Sequence, residues 1–372
     1  MIESPMMTEW RTELEARRAR VRRLLEEAGC DVGLVFGCDG HAEHFRYLTN
    51  FAPVLGDSWL IMDAGERCVL TFQWQIVEAR GHSGIEQWEA AFDSVSLVRE
   101  ILQAAEPRRL GIAGLERMPA PSYAALREAF PEMEIANLGP RVAELRRRKS
   151  ELEVKLMREA ARITDVMLDA ARQGVQVGMS ESELAADLSV IPLRFGGTCS
   201  FGTTVVSGVD DPVPIRRPTA RRLAVQDSIM IDLGAEIEGY QADATRTFVL
   251  GRPRPAQLHA WDVVRRSYEA AMNLARPGVP CNELERVSAG IIRDAGFIPA
   301  HRIGHGIGLA TSFEWPSLDT EQSPLEPGMT ICIEPGVYAP GSGNMKLEDD
   351  VLITETGCEL LTHSDRTLEI SL

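Results

Sequence analysis

The stretch Ile229–Val249 reads IMIDLGAEIEGYQADATRTFV. An apolar run ends on Asp232, and Asp243 follows beyond Glu238-Gly239, a pair suited to a tight turn. Two strands folded back as a hairpin are expected. A carboxylate that ends an apolar run is costly unless its charge is compensated. Two such groups brought together across a hairpin repel until one holds a proton. A bound cation removes both costs; two solvated hairpin acids are the alternative.

Three more stretches carry the same signal. In GHGIGL, His305 stands between Gly304 and Gly306, where the missing side chains let the backbone approach a neighbour closely. A lone His can equally be a satisfied structural residue. The apolar run Ile331-Cys332-Ile333 ends on Glu334, repeating the Asp232 arrangement, and Cys332 is read as alternating away from Glu334 into the core. Lys346, Glu348 and Asp350 alternate along a strand, which puts them on one face and Asp349 on the other. Asp232, Asp243, His305, Glu334 and Glu348 together suit two divalent ions, whose charge balances four carboxylates in a buried site. Oxygen-rich ligation favours Mn²⁺, with Co²⁺, Zn²⁺ or Fe²⁺ as alternatives. Two ions roughly 3.5–4 Å apart can share a water and lower its pKa toward about 7.

The elements that must position these residues divide in two. Thr8–Ala28 reads as a helix with Leu14, Val21, Leu24 and Leu25 on one face, ended by Gly29. Strands at Asp31–Gly37, Cys68–Phe72 and Leu110–Ala113 alternate with helices at Val95–Ala105 and Tyr123–Phe130, the pattern of an α/β domain. No GxGxxG spacing follows these strands, so a dinucleotide role is not expected. Arg146-Arg147-Arg148-Lys149 is the densest basic run. It reads better as the end of a segment than as an anion site, because Ser150 and Glu153 form a capping box for the next helix. The domains are therefore set at 1–148 and 149–372. In the second, helices at Glu151–Gly174, Ser180–Val190, Pro255–Ala275 and Asn282–Ala295 punctuate the acidic strands. Helices, strands and acidic site occur twice in order, without a residue-level repeat.

Net charge bounds the partners. Against 39 basic residues stand 55 acidic ones, for −16, and no basic tract offsets them. Nucleic acid and anionic membrane are not expected as partners. The seven cysteines are scattered without CxxC spacing, read as reduced thiols of a cytoplasmic protein rather than a thiolate metal site. No signal-peptide pattern opens the chain and no apolar stretch is long enough to span a membrane. Trp59, Trp74 and Trp315 read as packing residues, and His41 and His44 as surface imidazoles.

The motifs resemble those of the creatinase / Xaa-Pro peptidase family, which has the pita-bread fold and includes prolidase and aminopeptidase P. Its DxG…D-TRTF hairpin matches Asp232–Phe248, its HxxGHGxGL loop matches His301–Leu309, and its IEPGxY strand matches Ile333–Tyr338. Its last motif matches from Lys346 through Thr362, and Phe45–Phe51 (FRYLTNF) resembles the signature of its N-terminal domain. The resemblance implies an α/β N-terminal domain before an α+β pita-bread catalytic domain, a homodimer, and dinuclear hydrolysis of Xaa-Pro dipeptides or short peptides. It also implies that Asp232 and His305 bind one ion each, that Asp243 and Glu348 bridge, and that Glu334 is both ligand and proton shuttle. His301 and Tyr338 would line the substrate side.

Three positions depart from the family pattern. Ile215 stands where family peptidases carry a His upstream of Asp232, Ser312 is read at the His of HExP, and Lys346 replaces an Arg. Metal chemistry with an altered substrate shell is the consequence, since Lys cannot form the planar Arg fork. Two other readings follow: an amidinohydrolase- or lyase-type enzyme acting on a small non-peptide substrate, and a non-catalytic binding module. Retention of all five ligands argues against the last.

Overall fold

Good helix formers open the chain as α1 (Pro5–Glu27), which buries Leu14, Val21 and Leu25 on one face. The computed structural model describes residues 5–310 and 314–371. It divides into two compact units, Met1–Arg146 and Arg147–Leu372.

The first unit is built on β1 (Val32–Cys38), β2 (Asp57–Met62), β3 (Glu66–Leu70), β4 (Gln87–Ala90), β5 (Arg109–Ala113) and β6 (Glu134–Asn137). They form one sheet in the order β4-β3-β2-β1-β5-β6. Pairing is mixed: β1 runs parallel to β5 and antiparallel to β2, its neighbour on the other side. Between the strands lie α2 (Glu43–Thr49), α3 (Ile76–Ser83), α4 (Ser94–Ala105), α5 (Ala120–Ala129) and α6 (Gly139–Arg146). Leu34, Phe36, Trp59 and Ile61 pack on one face with Val98 and Leu102 of α4 and Leu126 of α5. On the other face, Gly33 and Gly37 leave room for Leu25 and Phe45, so these glycines serve packing rather than phosphate binding. FRYLTNF forms most of α2, with Phe45, Tyr47 and Leu48 buried.

Two expectations fail in this unit. His44 is buried, with Nδ1 3.2 Å from Arg146 Nη1 and Nε2 3.4 Å from Glu116 Oε1, so only His41 is a surface imidazole. Trp59 is core, whereas Trp74 is largely exposed.

In the second unit, capping boxes start both leading helices. Ser150 and Glu153 cap α7 (Glu151–Gly174), and Ser180 and Glu183 cap α8 (Glu181–Ser189). Each satisfies two backbone N–H groups that the helix leaves orphaned. These helices cover a sheet formed by β8 (Thr204–Ser207), β9 (Ser228–Leu233), β12 (Ala244–Leu250) and β20 (Glu369–Ile370). A second pair, α9 (Pro255–Leu274) and α10 (Cys281–Asp294), packs around Ile331, Ile333, Val351 and Ile353. Those residues belong to the sheet of β13 (Gly304–Gly306), β14 (Glu314–Ser317), β15 (Thr330–Ile333), β18 (Asp349–Ile353) and β19 (Cys358–Leu360). The remaining strands are β7 (Thr198–Cys199), β10 (Ala235–Ile237), β11 (Tyr240–Gln241), β16 (Gly336–Ala339) and β17 (Gly343–Lys346). Two helices over a largely antiparallel sheet thus occur twice in chain order, the one exception being β20, which runs parallel to β12. Among the described residues no helix is long and apolar enough to cross a membrane.

Candidate metal centre

The acidic hairpin forms as its sequence demands. Glu238 and Gly239 both take positive φ, 50° and 83°, as a two-residue turn between paired strands requires. Beyond the turn β9 and β12 pair antiparallel, with Thr245 opposite Asp232 and Ala244 opposite Leu233. Gly304 and Gly306 are needed on β13, because a Cβ on either would collide with the backbone of Cys332 or Trp315. That approach brings His305 opposite Cys332 on β15. An isolated bridge from Thr245 to Glu348 ties the first half of the unit to the last acidic motif.

Asp232, Asp243, His305, Glu334 and Glu348 are all buried and gather in one place. His305 Nδ1 lies 2.8 Å from the Gly306 carbonyl oxygen, so the proton sits there and the Nε2 lone pair faces inward. Nε2 is 3.8 Å from Asp243 Oδ2 and 3.7 Å from Glu334 Oε1. These separations exceed a hydrogen bond. They match two atoms that each sit about 2.1 Å from one ion, which are then roughly 3–4 Å apart. Thr245 Oγ1 donates to Glu348 Oε2 at 2.6 Å, and the Arg246 guanidinium donates to the Glu348 carbonyl at 2.7 Å. The Asp350 carboxylate accepts the Asp243 backbone N–H at 3.0 Å and the Cys332 thiol at 3.1 Å. Asp349 points the opposite way, to Arg246 and Arg366.

Lys346 lines a cleft beside these residues and also reaches the acidic side chains. Its ammonium lies 2.8 Å from Asp232 Oδ2, 2.9 Å from Glu334 Oε2 and 2.9 Å from Glu348 Oε2. The cause is local. The chain leaves β17 after Lys346 and enters β18 at Asp349, so Lys346 and Glu348 flank a break between strands and converge on one point.

The charges are unequally compensated. Burial pushes the Asp243 carboxyl well up, and the charges of Glu348 and Asp232 push it further. Glu348 is also raised, by burial first, with Lys346 opposing. Burial acts on Glu334 in the same sense, but Lys346, His305 and His301 outweigh it and hold that carboxyl down. Burial holds the His305 imidazole below its ordinary range, so it is neutral and able to act as a ligand.

A divalent cation fits this donor set. Among the described residues, Asp243 Oδ1 and Glu348 Oε1 are buried without a hydrogen-bond partner. One ligand atom each from Asp243, His305, Cys332 and Glu348 lies within 4.8 Å of the others. Cys332 is core, as expected, but its thiol lies within this group rather than turned away from the site. Its thiol is nevertheless pushed well up, by burial and then by Asp350, and stays protonated as a donor rather than a thiolate ligand.

Beside the carboxylates, His301 Nδ1 lies 2.6 Å from the Arg302 carbonyl oxygen and therefore carries the proton. Its Nε2 accepts from the Tyr338 hydroxyl at 2.8 Å. Phe201, Pro214, Ile215, His301, Arg302 and Lys346 join Asp232, Asp243, His305 and Glu334 around a cleft of about 240 Å³. Ile215 lies on its rim, 69% exposed. Ser312 lies outside the described residues, with Thr311 and Phe313. Aligned on Glu314-Trp315-Pro316, the His of HExP falls on Phe313 rather than Ser312, and the imidazole is absent under either alignment. Thr245, Arg246 and Asp350 have site roles that sequence reasoning missed, although the alternation of Thr245 and Thr247 in TRTF was a usable signal.

Comparison with known proteins agrees with this geometry. Residues 155–355 match metallopeptidase family M24, and residues 17–148 match the creatinase/prolidase N-terminal domain. A Xaa-Pro dipeptidase of Pyrococcus furiosus is 31% identical over 330 residues, 87% of this chain and 91% of that protein. The crystal structure of the prolidase from Pyrococcus horikoshii superposes with a TM-score of 0.87 at 26% identity, covering 95% of this chain and 99% of that one. An X-Pro aminopeptidase from Thermotoga maritima gives 0.86 at 26% identity, covering 95% and 99%. With its fold, its buried ligand set and these likenesses in agreement, the chain belongs to metallopeptidase family M24, its catalytic unit preceded by a creatinase/prolidase N-terminal domain.

Proposed function

We propose that the protein is a metal-dependent hydrolase of Xaa-Pro dipeptides. The observation that carries this reading is the convergence of Asp232, Asp243, His305 and Glu334 on the wall of a small cleft, with Glu348 buried behind them. Relatives described as Xaa-Pro dipeptidases over most of their length support the substrate class. At about 240 Å³ the cleft lies below the roughly 300–1,000 Å³ of drug-sized sites, which favours a dipeptide over a longer chain. Phe201, Pro214 and Ile215 offer an apolar wall to a pyrrolidine ring.

Asp243, His305, Glu334 and Glu348 would hold divalent metal, which supplies Lewis acidity toward a carbonyl oxygen and lowers the pKa of water. Glu334 would take the proton of the attacking water and deliver it to the leaving nitrogen. The His301–Tyr338 pair sits next to Glu334, with His301 Nδ1 3.9 Å from Glu334 Oε2, and would orient the substrate carbonyl. Hardness of the oxygen donors supports Mn²⁺ as the metal. Seven cysteines without a disulfide support a reducing, cytoplasmic setting. A homodimer follows the commonest closed assembly.

The replacement of family donors at Ile215 and Lys346 favours one second reading, a small non-peptide amide or lyase-type substrate. The test is a panel of Xaa-Pro dipeptides, longer peptides and small amides, assayed with Mn²⁺, Co²⁺ or Zn²⁺. Release of proline from dipeptides is expected. Turnover of the small amides alone would shift the substrate class, and no turnover with any of these metals would remove the assignment.

A further inference from the structure

We propose that each chain takes up a single divalent ion, and that the Lys346 ammonium is a built-in cation occupying the second position of the ligand set. The inference rests on the metal-dependent reading above and departs from the two ions expected from sequence.

The oxygens divide cleanly between two positive centres. Lys346 Nζ reaches Asp232 Oδ2, Glu334 Oε2 and Glu348 Oε2 at 2.8–2.9 Å. An ammonium has three N–H donors, and each has a carboxylate here. What remains is a second set: among the described residues Asp243 Oδ1 and Glu348 Oε1 are buried without hydrogen bonds, His305 Nε2 lies 3.8 Å from Asp243 Oδ2 and 3.7 Å from Glu334 Oε1, and one ligand atom each of Asp243, His305 and Glu348 lies within 4.8 Å of the others. Glu334 and Glu348 each give one oxygen to the ammonium; the other oxygen of Glu334 lies 3.7 Å from His305 Nε2, and that of Glu348 is buried without a hydrogen bond among the described residues. Asp232, which is not among the residues whose ligand atoms lie within 4.8 Å of one another, is tied to Lys346. A second ion would compete with a charged group already at bonding distance of the same oxygens.

Lys346 is also held where it acts. Its backbone N–H donates to Thr247 Oγ1 at 3.0 Å, and that hydroxyl donates to the Lys346 carbonyl at 2.9 Å. The side chain is 5% exposed, so it has little room to swing into solvent. An Arg at this position carries its charge on a planar fork, which suits one carboxylate bidentately and cannot place a point charge among three. Lysine is the side chain that can.

The test counts ions. Full-length protein stripped with chelator is titrated with Mn²⁺, bound metal is measured by calorimetry and mass spectrometry, and electron paramagnetic resonance separates an isolated ion from an exchange-coupled pair. One ion per chain with an uncoupled signal is expected. Lys346→Met, which removes the ammonium, and Lys346→Arg, which keeps charge for folding, are expected to take up two. Two ions in the unaltered chain, a coupled signal, or no ion would overturn the proposal. So would a folded Lys346→Met or Lys346→Arg that still takes one. If neither variant folds, the count in the unaltered chain decides. One bound ion without proline release would support the stoichiometry and remove the peptidase reading; two bound ions with proline release would do the reverse.

Discussion

Thr245 shows how much of the centre depends on residues that would never touch a metal. Its hydroxyl donates to Glu348 Oε2 at 2.6 Å, beside the Lys346 ammonium on the same oxygen. That bond helps fix which way the carboxylate turns and leaves Oε1 buried without a hydrogen bond among the described residues. Thr245→Val keeps the shape and removes the donor. A fall of roughly 10–100-fold in Mn²⁺ affinity is expected, read by calorimetry, with the far-ultraviolet circular dichroism unchanged. The five candidate ligands were legible in the sequence through different signals: Asp232 and Glu334 end apolar runs, Asp243 faces Asp232 across a hairpin, His305 stands between two glycines, and Glu348 alternates with Lys346 and Asp350. Lys346 was legible only in its face. Its meeting with three carboxylates depends on the break between β17 and β18, which no local pattern encodes. Cys332 was misread through its register with Glu334.

At the scale of elements, the segment that carries Ile215 to the cleft is anchored by one buried acid. Glu181, at the start of α8, receives both terminal nitrogens of Arg216 at 2.6 Å, and the backbone N–H and hydroxyl of both Ser207 and Thr219. Burial alone would raise this carboxyl. The hydrogen bonds from Arg216, Ser207 and Thr219 win and hold it down to about 2. A folded-state pKa below the unfolded one stabilises above the unfolded value. The contribution is therefore fully present above 4.5 and is lost as pH falls through about 2. It amounts to on the order of 3 kcal/mol. Glu181→Gln is expected to cost about 2–4 kcal/mol at neutral pH in urea unfolding. The variant should also show a flatter loss of stability across that acidic window than the unaltered chain. Helix positions were legible here, since the capping boxes at Ser150 and Ser180 mark both starts and apolar spacing marks the lengths. The short edge strands were not: β4 is only four residues long with one buried residue, Trp88, too short for its alternation to stand out.

Across the whole molecule, the two-unit order was visible in the switch from alternating helices and strands to long capped helices and acidic strands. The mixed direction of the first sheet was not, because β2 folds back on β1 through contacts that a periodicity count does not hold. In the second unit the ligands come from four separated stretches, so metal binding and folding are coupled. A metal that binds only the folded chain, supplied at a hundredfold over its Kd, adds about 2.7 kcal/mol. The catalytic unit should then melt roughly 5–10 °C higher with Mn²⁺ than after chelation, followed by calorimetry. Anomalous diffraction from a Mn²⁺-loaded crystal tests the centre most directly. A peak within bonding distance of Asp243, His305, Glu334 and Glu348 is the expected result. A loaded crystal with no peak touching His305 and Glu348 would contradict it.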